Sequence, residues 1–259
     1  MTDEDLNEDR GEYSPSAYWD QRLRDEFSLR GVGHVGYPAS YNEWVYRQKR
    51  RTLRRLLPPV TAGAKALDVG SGVGWVVNEL VHAGYRVDGC DISPTAIEEL
   101  RRRFPTSEFT QVEIGSDGLP AADASYDLVT ILDVTYHIVD DAIWNSAITE
   151  LARVMRPGGT LIVLDRLGPT TEDAAAHVRF RSLRAWEELG GRVGLATTQV
   201  IPAYRWISRA RNSGPLHRVP PRLRGPLEYA LERFAPRPAH MRAASFIRAD
   251  SATTAVDDH

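Results

Sequence analysis

Three glycines at alternating positions, Gly70, Gly72 and Gly74, stand between an apolar run (Ala66, Leu67, Val69) and residues at helical spacing, Val73, Trp75, Val76, Val77 and Leu80. Residues without a Cβ let the backbone turn sharply and approach a ligand closely. The free N–H groups of a helix start would then face that ligand. A second short run, Val87 to Asp91, ends in a carboxylate 21 residues after Gly70. That is the distance at which an acid accepts hydrogen bonds from two ribose hydroxyls. A dinucleotide loop of the form Gly-x-Gly-x-x-Gly would need glycine at the position held by Trp75, which counts against nicotinamide chemistry.

The other residues able to do chemistry are histidines and arginines. His137 follows an apolar run, His34 lies in the glycine-rich segment Gly31 to Gly36, and His177 opens His177-Val-Arg-Phe-Arg181. On a helix, His177 and Arg181 would share one face, and Arg179 and Arg181 would suit an anionic substrate. No His-x-x-x-His pair or His–Cys set has zinc spacing, and neither Asp140-Asp141 nor Asp88 with Asp91 makes a metal site, so metal independence is expected.

The elements that must position these residues alternate strand and helix, which implies a parallel sheet with right-handed crossovers. Ser93-Pro94 carries helix-start chemistry ahead of Ile97, Leu100 and Phe104. A third strand is expected at 108–114 and a fourth at 126–133. A helix over 142–155 follows, then a break at Arg156-Pro-Gly-Gly159 and a fifth strand at 160–165. Upstream, helices are expected over 14–31 and 41–57. The second carries Arg47, Lys49, Arg50, Arg51, Arg54 and Arg55 as a solvated face, unless Arg47 or Arg50 meets a substrate anion. Downstream, 171–189 is expected to be helical, 194–204 a strand, 227–234 a short helix and 242–248 a last strand.

Taken together, Leu67-Asp-Val-Gly-Ser-Gly-Val-Gly74, Asp91-Ile-Ser-Pro94, Tyr126-Asp-Leu-Val129 with Asp133-Val-Thr-Tyr-His137, and Arg156-Pro-Gly-Gly159 resemble the class I S-adenosylmethionine-dependent methyltransferases, small-molecule type. The resemblance implies an α/β Rossmann-like fold, a seven-stranded mostly parallel sheet with helices on both faces and one antiparallel strand at 242–248. With an acidic, core-poor N-terminus at 1–12 expected to be disordered and a tail at 250–259, the resemblance divides the rest into an N-terminal helical lid at 13–59 and a cofactor-binding domain at 60–249 with a cap-like insertion at about 205–240.

By the same resemblance, Gly70, Ser71, Gly72 and Gly74 pass under the methionine and ribose portions of S-adenosylmethionine. Asp68 supports the loop or meets the methionine ammonium, Asp91 holds the ribose and Ile92 packs on adenine. Ser116 or Asp117 reaches the adenine amine, and Asp133 sits beside the methionine moiety. Trp19, Tyr37 and Tyr41 form a lid over cofactor and substrate, or else pack helices. His34, Tyr136, Arg179 and Arg181 are candidate substrate contacts. His177 and His137 are the candidate bases, since an alcohol or phenol acceptor needs a proton acceptor and histidine titrates nearest neutral pH.

Composition sets the outer bounds. The chain has 259 residues, 42% of them hydrophobic, enough for one α/β core with additions. A net charge of −3 argues against a nucleic-acid partner. The single cysteine, Cys90, fits a small core residue in a reducing compartment. No apolar run of about 18 residues appears and the N-terminus is acidic, so a cytoplasmic protein without a membrane partner is expected. The functional expectation is methyl transfer from S-adenosylmethionine to a small molecule, foremost O-methylation in specialised metabolism. The alternatives are C- or N-methylation, or a non-catalytic cofactor-binding scaffold. Monomer and homodimer both stay open.

Overall fold

The computed structural model describes residues 14–207, 216, 218–235 and 237–249. The expected acidic terminus, the tail and part of the cap-like insertion lie outside the described residues. Strands β1 (Lys65–Val69), β2 (Arg86–Asp91), β3 (Phe109–Gln111), β4 (Tyr126–Leu132), β5 (Met155–Asp165), β8 (Leu195–Tyr204) and β9 (Met241–Arg248) form one sheet in the order β3-β2-β1-β4-β5-β9-β8. β1 to β5 pair in parallel, and only β9 runs against its neighbours. The seven-stranded sheet and its antiparallel strand are those the family resemblance implies.

Both faces are covered, so the central strands read as continuous apolar runs rather than alternating ones. Ala66, Leu128, Ile162 and Leu164 face one core. That core is completed by α2 (Ala39–Leu56), α3 (Trp75–Ala83) and α4 (Pro94–Arg103). Leu67, Val69, Val129 and Ile131 face the other, under α5 (Asp141–Val154) and α6 (Leu183–Arg192). The topology reverses between β1 and β4, and in open α/β sheets the crevice beyond the strand C-termini at such a point takes ligands.

Five local expectations are corrected. The first helix, α1, spans only Pro15–Asp25. Ser14 caps its start, and Glu26 is already extended at φ −153°. β3 stops at Gln111, three residues short of Ile114. Arg156-Pro-Gly-Gly159 does not break the chain before β5 but bulges within it. Tyr126 pairs Met155, whereas Leu128 pairs Thr160, so the extra residues loop out while pairing resumes.

The largest correction concerns 171–189. Here β6 (Glu172–Ala175) and β7 (Val178–Phe180) form a separate hairpin, and α6 begins only after the Ser182 cap. Tertiary contacts override local helix propensity there. Phe180 packs on Tyr136 with ring centroids 5.1 Å apart, and Arg181 is drawn into the protein to bind the start of α5. His177 and Arg181 therefore do not share a helix face.

The helix near the C-terminus, α7 (Pro221–Phe234), is longer than the expected 227–234. It lies along α2. Gly225 is the contact point, since a Cβ there would fall 2.8 Å from Trp44.

Candidate cofactor and acceptor site

A cavity of about 230 Å³ opens at the C-terminal ends of β1, β2 and β4, beneath α1. Its floor is the loop Gly70–Val73. Gly70 sits at φ +76°, and a Cβ on it would lie 2.3 Å from the Val134 side chain. Glycine is required there by backbone sign and by space alike. Gly74 has a different task. It caps the start of α3 at φ +75° against Leu100 and Phe104 and does not line the cavity.

Asp91 lines the cavity at the end of β2 and is buried. Its carboxylate accepts from the backbone N–H of Gly72 at 2.7 Å and of Ser93 at 2.9 Å, which ties the glycine loop to the second strand. Burial raises its pKa, and the backbone donors oppose that. Ile92 lines the same wall with Val112 and Ile114.

Asp68 lies outside the lining. It is buried beneath the loop, where its Oδ1 accepts from Thr130 at 2.7 Å and its backbone carbonyl accepts from Ser71 at 2.9 Å. Burial pushes its carboxyl up to about 7. Of the two roles implied for Asp68, this position matches support of the loop.

The methionine end, as the resemblance places it, is marked by an ion pair that sequence reasoning missed. Lys49 Nζ lies 2.7 Å from Asp133 Oδ2, both residues line the cavity, and the Lys49 side chain is only 8% exposed. Its ammonium sits 4.1 Å from the centre of the Tyr46 ring. Burial alone would lower the Lys49 pKa, but Asp133 and Tyr46 outweigh it and hold it up at about 12. Lys49 thus stays charged. Asp133 adopts φ +62°, a left-handed conformation uncommon for a non-glycine residue and concentrated at functional sites. The solvated-face expectation fails for Lys49. Arg50 and Arg54 pair Glu79 on α3, with Arg50 partly covered and Arg54 still solvated as expected. The signal was available, since lysine occurs only at Lys49 and Lys65 in a chain rich in arginine.

Trp19 lines the cavity from α1, with Pro15 and Leu23 beside it. α1 is fastened by Asp20, whose Oδ1 accepts from Ser93 Oγ at 2.8 Å and from the Thr95 backbone at 3.0 Å. Ser93 also donates its backbone N–H to Asp91, so α1 and the end of β2 share one anchor. His137 also lines the cavity, at the end of a short 3₁₀ turn, Thr135–His137, and meets Trp19 edge to face at 5.2 Å. Burial pulls its pKa down to about 4, so its imidazole is neutral at pH 7. Asp165 holds that turn by accepting from Thr135 Oγ1 at 2.7 Å.

Several candidate residues lie elsewhere. Tyr41 is fully buried and donates to Glu228 Oε2 at 2.6 Å, while Tyr37 stacks on it at 4.2 Å. Both aromatics therefore pack α2 against α7 and not a ligand. His34 is held by Asn42 through its backbone, outside the lining. Ser116 and Asp117 are also outside it, and Asp117 accepts from the Glu113 backbone N–H at 3.1 Å. The acid that does line the adenine-side wall is Glu113, brought there by the early end of β3.

Arg181 is 2% exposed and donates to Asp141 and to the carbonyls of Ile138 and Val139. Arg179 pairs Asp141 and Asp173. Both arginines hold the hairpin and the start of α5, not an anionic substrate. His177, at the hairpin turn, and Tyr136 do not line the cavity, nor does any described residue of 205–240. Among the described residues, no group of three or more His, Cys, Asp or Glu could hold a metal ion.

The comparisons with known proteins agree with this geometry. A methyltransferase domain model matches residues 67–163, which run from β1 through β5. The methyltransferase GfsG of Streptomyces halstedii is 34% identical over 158 residues, covering 55% of this chain and 54% of its own length. A protein of Mycolicibacterium smegmatis, named a probable S-adenosylmethionine-dependent methyltransferase, is 28% identical over 144 residues, covering 56% of this chain and 53% of its own. The chain carries a methyltransferase domain over residues 67–163 and is similar in sequence to proteins named S-adenosylmethionine-dependent methyltransferases. It spans about half the length of these curated relatives. In fold it is similar to a solved S-adenosylmethionine-dependent methyltransferase of Leishmania major, with TM-score 0.61 and 16% identity, covering 89% of this chain and 80% of that one.

The residues present fit the family's cofactor. A backbone cradle that excludes side chains, a buried carboxylate for ribose, an apolar wall for adenine and a Lys–Asp pair complementary to an amino-acid zwitterion occur in the order such a molecule would need. Among the described residues, no helix is long and apolar enough to cross a membrane.

Proposed function

We propose that this chain transfers a methyl group from S-adenosylmethionine to a hydroxyl of a small molecule, within specialised metabolism. The observation that carries this reading is the meeting of Trp19 and His137 at the wall of the cavity that also holds Gly70, Asp91 and Asp133. The cofactor, when bound, supplies an electrophilic methyl on a sulfonium.

The protein's part is positioning and exclusion of water. Asp91, with the loop it braces, and the Lys49–Asp133 pair fix the donor at both ends. α1 closes the side open to solvent. Alignment of donor and acceptor, with water removed, supplies much of the rate in a displacement that neutralises charge.

Neutral His137 presents a lone pair to an acceptor hydroxyl. The burial that keeps it neutral also makes it a weak base, so it orients the hydroxyl and takes the proton only as the new bond forms. It is preferred over His177 because it lines the cavity and His177 does not. The named function of GfsG as a methyltransferase of a Streptomyces adds support for a small-molecule acceptor.

The test is transfer of labelled methyl from S-adenosylmethionine to a panel of alcohols, phenols, amines and carboxylic acids. Labelled ethers are expected, with turnover by His137→Ala reduced about a hundredfold while it still binds S-adenosylhomocysteine. Labelling confined to amines or carbon centres would refute O-methylation.

A further inference from the structure

Six rings from three separate segments converge above the cavity: Tyr18 and Trp19 of α1, Tyr136 and His137 of the 3₁₀ turn, and His177 and Phe180 of the β6–β7 hairpin. Trp19 meets His137 at 5.2 Å, His137 lies parallel to His177 within 2° at 6.3 Å, and His177 reaches Tyr18 at 6.4 Å. Tyr136 bridges His137 at 4.5 Å and Phe180 at 5.1 Å. All six are half-buried. The aromatics that stabilise this fold, Tyr41, Tyr46, Trp186 and Phe246, are instead almost wholly buried. Rings gathered in one place yet left partly accessible form a surface for a ligand rather than a core.

Three of the four cations around these rings are paired with carboxylates, and the fourth, Arg22, lies over the faces of Tyr18 and Trp19. Arg22 donates to the Tyr18 hydroxyl and the Gly33 carbonyl, Arg166 pairs Glu172, and Arg179 and Arg181 pair Asp141. To be neutralised, an anionic acceptor would have to break one of these carboxylate pairs or draw Arg22 away from the Tyr18 and Trp19 rings. A flat, uncharged, conjugated ring would stack without such a cost.

We propose that this junction between α1 and the β6–β7 hairpin is the acceptor surface, and that it selects a planar, uncharged phenolic ring whose hydroxyl meets His137. The proposal rests on the methyl-transfer reading for its chemistry, but the surface itself can be tested by binding alone. The reaction forms one C–O bond and breaks the S–CH₃ bond. The phenolic proton leaves toward His137 and then to solvent, and S-adenosylhomocysteine is the leaving group.

Calorimetric binding of neutral phenols, aliphatic alcohols of similar size and ring carboxylates to the S-adenosylhomocysteine complex of the full chain would be paired with methyl-transfer assays on the same compounds. Phenols are expected to bind and to be methylated in preference to both other classes. Phe180→Leu and His177→Ala should each weaken phenol binding, and raise its KM, by about tenfold, the value of one lost ring contact. Affinity for S-adenosylhomocysteine should change less than about twofold, because neither residue lines the cavity. Phenol binding without any transfer would keep the surface and overturn the methyl-transfer reading. Transfer to aliphatic or anionic acceptors in preference to phenols would overturn the surface and keep that reading. Unchanged phenol affinity in both variants would also overturn the surface.

Discussion

Lys49 and Asp133 are the pair on which the site most depends. Removing one partner of a buried ion pair leaves the other charge uncompensated and costs about 3–5 kcal/mol, whereas replacing both by apolar residues is often close to neutral. Lys49→Met should therefore lower stability markedly in denaturant unfolding, and Lys49→Met/Asp133→Asn, which removes both charges while keeping a residue that tolerates φ +62°, should recover most of the loss. Affinity for S-adenosylhomocysteine should stay at least about tenfold reduced in both, because the contact with the amino-acid end is gone in each. Recovery of affinity in the double variant would mean that the pair is only structural. His137 gives a second prediction. Its folded pKa of about 4 lies below the ordinary 6.5, so between these values the unfolded chain binds the extra proton. Stability must then fall as pH is lowered from 6.5 toward 4 and be unaffected by this group at pH 7. His137→Asn should remove that part of the acid sensitivity. In the parent, the imidazole resonances followed by NMR should stay those of the neutral ring down to about pH 5.

At the scale of elements, α1 is held at its middle by a carboxylate that also completes the cap of α4. Asp20 accepts from the Ser93 hydroxyl and the Thr95 amide, and loss of a cap acceptor of this kind costs about 1–2 kcal/mol. Because α1 covers the cavity, Asp20→Ala is expected to speed dissociation of S-adenosylhomocysteine in stopped-flow fluorescence by about tenfold, with association altered less. Equal dissociation rates would show that α1 does not retain the cofactor. The β6–β7 hairpin is the element least evident beforehand. Its sequence, Glu172 to Phe180, passes for the front of a helix, and only the burial of Arg181 against Asp141 and the contact of Phe180 with Tyr136 fix it as a hairpin. Similarly, α2 looks like a solvated cationic helix until α3 and α7 are in place. Glu79 then claims Arg50 and Arg54, Glu228 claims Tyr41, and Lys49 turns inward to Asp133.

At the scale of the molecule, what was legible in the sequence is what local chemistry dictates. Glycine at positive φ, a carboxylate one strand later, and strands apolar on both faces define the sheet and the floor of the cavity whatever surrounds them. What was not legible depends on contacts between segments far apart in the chain. Asp133 meets Lys49 across 84 positions, and Trp19 meets His137 across 118. Glu113 replaced Ser116 and Asp117 at the adenine-side wall because β3 ends early, which no periodicity marks. The central claim is that the cavity beneath α1 is the cofactor site. It is tested most directly by calorimetric titration of S-adenosylhomocysteine into the full chain and into Asp91→Ala. One molecule should bind per chain, at least about tenfold more weakly in the variant, since two charge-assisted hydrogen bonds to ribose are lost. No binding to the parent, or equal binding to both proteins, would contradict it.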